Sequence, residues 1–282
     1  MSNSNMELET LAWGYGLVEG PRVDAENRLY FSDAKLGGVF RRDPDGRIET
    51  VIPKRRGVGG IALHADGGIV VSGRNICHVR DGESRIVFDV EDAPGFNDLF
   101  TDAEGRILVG SQRFNPFEKD VVARAGELYR IEAEGKAEML YDDVGLTNGI
   151  GFSPDGRRLY HSDSTRNQIL LHDVAEDGSV SNRRVFAQLA DGHPDGLAVD
   201  ESGCVWAAAY WGGCVTRLTP EGDVDLNLEI PAKTVASVSF GGPDRRDLYI
   251  ATSDNTDDPA RGGTIFRTRA PLPGLEVPLA RV

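Results

Sequence analysis

The unit that decides the fold is VDAENRLYFSD, residues 23–33, because the same arrangement returns five more times along the chain. The other copies are, in order, LHADGGIVVSG (63–73), TDAEGRILVGS (101–111), FSPDGRRLYHSD (152–163), VDESGCVWAAAY (199–210) and GGPDRRDLYIATS (241–253). Each copy reads as a strand, a turn rich in Asp and Gly, and a second strand, which is the pattern of a tight antiparallel hairpin. Successive copies lie roughly 40 to 50 residues apart, a period typical of propeller blades rather than of helical solenoids.

Between these copies lie further short segments in which apolar and polar residues alternate. Examples are GGVFRRD (37–43), GELYRIE (126–132) and QILLHDV (168–174). Alternation with a period of two is typical of half-buried strands. We therefore predict an all-β fold, a six-bladed β-propeller with four antiparallel strands per blade around a central channel, in a single domain covering 1–282. A β-sandwich or a pair of small β domains is the alternative, but six copies in phase favour the propeller.

The charge and the composition argue against several classes of partner. The formal net charge is −14 and the pI is about 4.8, which argues against binding to nucleic acid or to an anionic membrane surface. No apolar run approaches the length of a membrane span. The first ten residues, MSNSNMELET, lack the basic and apolar regions of a secretory signal, so we expect a cytoplasmic protein. No feature demands an oligomer, and a monomer or a weak homodimer is expected.

The three cysteines of the chain form no pattern that would bind a metal. They are Cys77, Cys204 and Cys214. Cys204 and Cys214 could face each other across a hairpin. Buried free thiols are the favoured interpretation for a cytoplasmic protein.

Four polar residues recur about ten positions before the second strand of the repeated unit. They are Glu19, Asn97, Asn148 and Asp195, and in the other two copies the same offset falls on Gly59 and Val238. The innermost strand of each blade lines the channel of a propeller, so equal offsets predict similar heights along the channel. Carboxylate and amide oxygens suit Ca²⁺, Mg²⁺ or Mn²⁺ better than a structural zinc site. Taken singly, a dipeptide such as Asn148-Gly149 is more often a turn than a ligand. A binding site is favoured because the four residues occupy the same position within the repeat.

Several stretches resemble one known family in the family's own order. They are Glu19-Gly20-Pro21, Asn97-Asp98 followed by TDAEGR (101–106), Thr147-Asn148-Gly149, HPDGLAVDESGCVWAAAYWGGCVTRL (193–218), Phe240-Gly241-Gly242 and GGTIF (262–266). Together they span nearly the whole chain. The chain is similar to the senescence-marker-protein, regucalcin, gluconolactonase and luciferin-regenerating-enzyme family of six-bladed propellers.

This resemblance implies a function and a set of site residues. It implies one divalent cation held by Glu19, Asn148 and Asp195, with Ca²⁺ favoured and Mg²⁺, Mn²⁺ or Zn²⁺ as alternatives. Asp195 would also act as the general base, and Asn97 would lie near the metal and the substrate. The implied reaction is the hydrolysis of a small lactone to its hydroxy acid.

The chain departs from the family where sugar-lactone members place an arginine two residues before the Asn-Asp pair. That position is Gly95, followed by Phe96; a glycine and a phenylalanine favour a less polar substrate or a larger pocket. Arg113 could supply the missing charge from the following loop, or it could be a surface arginine. Tyr210 could form a wall of the pocket or pack within a blade. The segment 111–129 could close over the substrate as a lid or simply connect two strands.

Two other functions stay open. One is a related propeller hydrolase that acts on phosphotriesters or aryl esters, which would share the metal chemistry. The other is a calcium-binding propeller without enzymatic activity. Covalent catalysis has no support, since the chain contains no G-x-S-x-G, H-E-x-x-H, P-loop or Rossmann glycine motif.

Overall fold

The computed structural model describes residues 6–282 and consists of six four-stranded antiparallel sheets. The innermost strands of neighbouring sheets contact each other in sequence order, and the last of them contacts the first, so the sheets close into a ring. The predicted six-bladed β-propeller is confirmed. No α-helix occurs among residues 6–282.

The strands follow the order of the chain, blade by blade. Strand β1 covers Glu9–Tyr15. Blade 1 contains β2 (Val18–Val23), β3 (Leu29–Asp33), β4 (Val39–Arg42) and β5 (Ile48–Ile52). Blade 2 contains β6 (Ile61–Leu63), β7 (Ile69–Val71), β8 (Ile76–Arg80) and β9 (Glu83–Phe88). Blade 3 contains β10 (Gly95–Thr101), β11 (Ile107–Gln112), β12 (Gly126–Ile131) and β13 (Ala137–Val144).

The other three blades repeat this arrangement. Blade 4 contains β14 (Thr147–Phe152), β15 (Arg158–Asp163), β16 (Gln168–Val174) and β17 (Val180–Ala187). Blade 5 contains β18 (His193–Val199), β19 (Val205–Tyr210), β20 (Cys214–Leu218) and β21 (Val224–Glu229). Blade 6 contains β22 (Val235–Gly241), β23 (Asp247–Thr252) and β24 (Gly263–Arg269). Short 3₁₀ helices cover Ala133–Gly135 and Pro259–Arg261.

Blade 6 is completed by the first strand of the chain. Strand β1 pairs antiparallel with β24, with Glu9 opposite Arg267 and Trp13 opposite Thr264. The two ends of the propeller are therefore joined by backbone hydrogen bonds, and the ring has no gap between its first and last blades.

Apolar side chains fill the space between neighbouring blades. Between blades 5 and 6, for example, Trp206 and Val215 pack with Val238 and Ile250. The three cysteines are buried free thiols, as the sequence predicted. No helix within residues 6–282 is long and apolar enough to cross a bilayer.

The segment after β24 crosses one end of the ring. Gly274 pairs with Asp200 of blade 5, and Ala280 pairs with His64 of blade 2. Both partners lie in turns between the first and second strands of their blades. The polar residues predicted to form a site lie at the start of the innermost strands, which is the opposite end of the channel. That end therefore holds the candidate site.

Candidate active site

A local irregularity of the innermost strand accompanies each of the four polar residues. The pairing with the second strand shifts between Glu19 and Arg22 in blade 1 and between Phe96 and Leu99 in blade 3. It shifts in the same way around Asn148 in blade 4 and around Asp195 in blade 5. A bulge of this kind turns a side chain away from the direction that it would have in a regular strand. Here they occur at the positions where the repeat carries a carboxylate or an amide.

The four polar residues lie at one level of the channel. Each lies four residues before the end of its innermost strand's pairing with the second strand. In blade 2 the same position is Gly59, and a Cβ there would lie only 2.2 Å from Oδ1 of Asn97. The predicted equal heights therefore agree with the geometry for these residues.

The sequence-based assignment of Val238 to this level is wrong. In blade 6 the turn between Phe240 and Leu248 is longer than in blade 1, where Val23 pairs with Leu29. Counting back ten residues from Leu248 therefore stops two residues short, because Ala236 lies four residues before Phe240, as Glu19 lies four residues before Val23. Val238 instead packs in the apolar core between blades 5 and 6.

Two buried carboxylates dominate the electrostatics of the site. The exposed fractions of Glu19 and Asp195 are 8% and 5%. Burial raises the pKa of Glu19 well above its usual value, and the negative charges of Asp195 and Asp98 raise it further. Burial, followed by the charge of Asp98, raises the pKa of Asp195. The Oδ1 atom of Asp195 has no hydrogen-bond partner among the described residues.

Hydrogen bonds across three blades fix the orientation of the amide groups. Asn97 donates from Nδ2 to Oδ1 of Asn148 (2.9 Å) and to the carbonyl of Thr147 (2.9 Å). Asn148 donates from its own Nδ2 to Oγ of Ser164 (3.0 Å), and Ser164 donates to the carbonyl of Pro194 (2.7 Å). Because Nδ2 of Asn148 is bound to Ser164, its Oδ1 faces Asn97 and keeps a second lone pair for a ligand.

Two further charged residues of the channel were not assigned a role from the sequence. Asp98 follows Asn97, and burial raises the pKa of Asp98 to about 6, although the charge of Arg22 opposes this rise. Arg22 is itself buried and donates hydrogen bonds to the carbonyls of Pro21 (2.8 Å) and Leu99 (3.2 Å). Asp98 could have been identified from the sequence by comparing the residues at its position in the six repeats.

At the position of Asp98 most other blades have a glycine. The corresponding residues of blades 1, 2, 4, 5 and 6 are Gly20, Gly60, Gly149, Gly196 and Ser237. A Cβ on Gly149 would lie 2.4 Å from the backbone nitrogen of Leu197, so neighbouring blades touch through their backbones at this level. A carboxylate in a layer of close backbone contacts is exceptional, and it adds negative charge beside the site.

The other residues predicted to contact substrate divide into two groups. Tyr210 is half-buried, and burial together with the charges of Asp195 and Glu19 raises its pKa to about 12, so it lies close to the carboxylates. Phe96 is fully buried in the core between blades 2 and 3, where its ring centroid is 5.5 Å from that of Phe88. The assignment of Phe96 to the pocket is therefore replaced by a core role, because the chain alternates inward and outward and Phe96 points away from the channel.

Arg113 is held in place by an acidic partner. Its guanidinium binds both carboxylate oxygens of Glu127 at 2.8 to 3.0 Å. Ser111 also donates to this carboxylate and accepts from the backbone N–H of Glu127 (2.9 Å). The connection 113–125 lies at the same end of the ring as the site, and Phe117 within it is exposed.

The donor set fits the divalent cation that the resemblance implies. Among residues 6–282 no three His, Cys, Asp or Glu side chains form a group that could hold a metal, so a site here depends on the amide oxygen of Asn148. Glu19, Asp98 and Asp195 carry three negative charges when ionised, and Arg22 carries one positive charge. The remaining charge of −2 equals that of one divalent cation, which would also relieve the repulsion that raises the carboxylate pKa values.

Comparisons with known proteins identify the family that the chain resembles. A family model described as "SMP-30/Gluconolactonase/LRE-like region" matches residues 17–254. The chain is 34% identical to 6-deoxy-6-sulfogluconolactonase of Pseudomonas putida over 90% of this chain and 91% of the relative. It is 31% identical to pentonolactonase XacC of Haloferax volcanii over 87% of this chain and 84% of the relative.

A solved structure has the same fold. The calcium-binding protein regucalcin from Agrobacterium tumefaciens superposes with a TM-score of 0.87 at 22% identity, covering 98% of each chain. At this identity the likeness concerns the fold alone.

Proposed function

The chain belongs to the SMP-30/Gluconolactonase/LRE-like family, and we propose that it is a metal-dependent lactonase that opens a small lactone to its hydroxy acid. The names of two relatives, a sulfogluconolactonase and a pentonolactonase, support a sugar-derived lactone as the substrate class. The observation that carries the proposal is the convergence of Glu19, Asn148 and Asp195 on one level of the channel. A cytoplasmic location and a monomeric or weakly dimeric state stay predictions.

We assign the cation to Glu19, Asn148 and Asp195, with Ca²⁺ as the first choice and Mg²⁺, Mn²⁺ or Zn²⁺ as alternatives. A bound cation of this kind polarises a carbonyl and acidifies water. The name of the structurally similar calcium-binding regucalcin supports the choice of Ca²⁺. The all-oxygen donor set supports a hard cation.

Residues of the chain itself would perform the other steps of the reaction. Asp195 has an unpartnered Oδ1 and a raised pKa, which makes its ionised form a stronger base for the proton of the attacking water. Asn97 and Ser164 orient the amide oxygen of Asn148 through the hydrogen bonds at its two ends. Tyr210 stays protonated at neutral pH and can donate a hydrogen bond to the substrate beside the carboxylates.

Ring opening needs little further assistance from the protein. The leaving alkoxide of a lactone stays covalently attached to the new acid, so it remains close to the proton that Asp195 has accepted. The segment after β24 crosses the opposite end of the ring, where Gly274 pairs with Asp200 and Ala280 with His64. Substrate and water would therefore enter from the end that carries the polar residues.

The test is a hydrolysis screen across sugar-derived, aliphatic and aromatic lactones, scored by acid release. We expect activity that disappears with a chelator, returns with a hard divalent cation and is lost in Asp195→Asn. A variant at Lys233, an exposed lysine in a loop between blades 5 and 6, serves as the matched control. Activity that survives exhaustive chelation would contradict the proposal.

Calcium binding without catalysis is the second candidate, because the regucalcin structure is described as a calcium-binding protein. It predicts cation binding with no turnover of any lactone. A phosphotriester and aryl ester panel, run beside the lactones, separates the third possibility. Turnover of those esters with no lactone turnover would assign the same residues to a different ester.

A further inference from the structure

Four arginines surround the start of strand β10, next to the candidate site. Arg55 and Arg56 precede β6, Arg74 precedes β8, and Arg113 follows β11. The side chain of Arg55, the carbonyl of Arg56 and the backbone of Arg74 lie next to Gly73, whose own carbonyl accepts a hydrogen bond from the N–H of Phe96 (2.7 Å). The next residue is Asn97, so these arginines lie at the mouth of the channel on its blade 2 and blade 3 side.

The contact distances define this cluster. A Cβ at Gly73 would lie 3.4 Å from Nε of Arg55 and 3.3 Å from the carbonyl oxygen of Arg56. A Cβ at Gly95 would lie 2.9 Å from the carbonyl of Gly73 and 3.7 Å from Cα of Arg74. Strand β10 therefore has no room for a side chain at Gly95, and the positive charge at this place comes from the neighbouring loops.

Two of the four guanidinium groups have carboxylate partners and two do not. Arg74 pairs with Asp89 (2.7 Å), and Arg113 pairs with Glu127 (2.8 Å). Within residues 6–282, Arg55 and Arg56 have no carboxylate at ion-pair distance.

Arg55 is nevertheless fixed in position. It is half-buried and donates to the carbonyls of Ser72 (3.1 Å) and Asn75 (2.7 Å) and to Oδ1 of Asn75 (2.9 Å). Its Nη1 group makes no hydrogen bond in the described part of the chain. The side chain of Arg56 packs with its stem against Gly37, where a Cβ would lie 3.0 Å from Cγ of Arg56, and the residue is exposed. Arg55 is a fixed guanidinium and Arg56, the next residue, is an exposed one; neither has an acidic partner in the described part of the chain, and a guanidinium without such a partner is suited to bind an oxyanion.

The distribution of charge around blades 1 to 3 supports the same conclusion. At the site end, their connecting loops contain eight Lys or Arg and five Asp or Glu, within 34–38, 53–60, 72–75, 89–94 and 113–125. At the other end, the loops of the same blades contain four basic and ten acidic residues, within 24–28, 43–47, 64–68, 81–82, 102–106 and 132–136. In a chain with a net charge of −14, basic loops on the blade 1 to 3 side of the mouth are an exception that concentrates anions on that side.

We propose that Arg55 and Arg56 form an anion-binding subsite that receives a sulfonate or phosphate group on the part of the lactone remote from the scissile ester. The subsite rests on the proposed lactonase function, which it deepens by naming an anionic substrate class. The ring ester lies at the level of Asn97 and Asp195, and the anionic group lies at the rim. Neutral lactones lack the second contact and bind more weakly.

Calorimetric binding of three hydroxy acids tests the subsite without relying on turnover. The probes are gluconate, 6-phosphogluconate and its 6-sulfonate analogue, which share a sugar acid and differ in the terminal charge. The wild-type protein is expected to bind the phosphorylated or the sulfonated acid at least about tenfold more tightly than gluconate, and less so as salt is raised. Whichever of the two binds more tightly identifies the anion.

Two variants and a control assign the effect to the named residues. Arg55→Gln and Arg56→Gln are each expected to reduce the preference for the charged acid by about tenfold, while Lys233→Gln leaves it unchanged. The side chain of Arg56 makes no hydrogen bond to any of residues 6–282, so its variant remains informative even if Arg55→Gln fails to fold. Equal binding of all three acids by the wild type, or a preference that survives both variants, overturns the subsite.

Different results would overturn the anion-binding subsite and the proposed lactonase function. Hydrolysis of neutral and charged lactones with equal kcat/KM, together with equal binding of the acids, overturns the subsite and leaves the lactonase. Selective binding of charged acids by a protein that hydrolyses no lactone overturns the lactonase and leaves an anion-binding site.

Discussion

The substitution Asp98→Asn tests the electrostatics of the channel most sharply, because it removes one charge and keeps the shape of the side chain. Asp98 is buried between the candidate ligands and Arg22, and its pKa is raised to about 6. In the unfolded chain an aspartate titrates near pH 3.9. The folded protein without metal therefore holds this proton more tightly than the unfolded chain does.

The sign of the pH dependence follows from that difference. Because the pKa of Asp98 is higher in the folded state, its favourable contribution to stability is present below about pH 4. This contribution is lost as the pH rises through about 6. A rise of about two pKa units corresponds to about 3 kcal/mol of free energy of unfolding. Asp98→Asn removes this contribution, and it also removes a charge that raises the pKa values of Glu19 and Asp195.

The assay is urea unfolding of the chelated protein at intervals between pH 4 and 7, for the wild type and for Asp98→Asn. Other groups titrate in the same range, so the quantity of interest is the difference between the two curves. Relative to the variant, the wild type is expected to lose about 3 kcal/mol from pH 4 to pH 7. Saturating Ca²⁺ is expected to recover most of this loss at pH 7 in the wild type. Parallel curves for the two chelated proteins would refute the reasoning.

Three further predictions concern other parts of the molecule. Ser164→Ala removes the hydrogen-bond acceptor of the Asn148 amide, so cation affinity measured by calorimetry is expected to fall about tenfold, whereas Ser164→Thr retains it. Gly59→Ala places a methyl group 2.2 Å from Oδ1 of Asn97, so kcat/KM is expected to fall at least about tenfold, and cation affinity is expected to fall as well because Asn97 orients the amide oxygen of Asn148. His172→Phe keeps the ring that stacks on a neighbouring tyrosine but removes a group whose pKa burial lowers to about 4. Stability from that neutral histidine is present above about pH 6.5 and lost as the pH falls through about 4, so the variant is expected to resist acid unfolding better by about 2 kcal/mol.

The repeat predicted the blades because each copy carries its own turn, and a hairpin is defined by local sequence. VDAENRLYFSD forms the end of β2, a turn and β3, as its Asp and Asn residues indicate. The same count failed in blade 6, where the longer turn before Asp247 moves the register and places Ala236 at the site instead of Val238. Counting a fixed number of residues back from the second strand identifies the site residue only in blades whose turns have equal length.

Side-chain direction was harder to predict than position. The pairing of β10 with β11 is interrupted by a bulge after Phe96, and Phe96 points into the core while the adjacent Asn97 points into the channel. The pattern of apolar and polar residues does not reveal such a bulge. Arg22 was missed for a related reason, since an arginine in a strand is usually exposed and only the packed structure encloses it beside Asp98.

Crystals grown with a saturating concentration of Mn²⁺, examined by anomalous diffraction, test the central claim most directly. We expect a single strong peak in the channel, within bonding distance of a carboxylate oxygen of Glu19, Oδ1 of Asn148 and a carboxylate oxygen of Asp195. A channel without a peak at these side chains, or a peak bound only to other residues, would contradict the account.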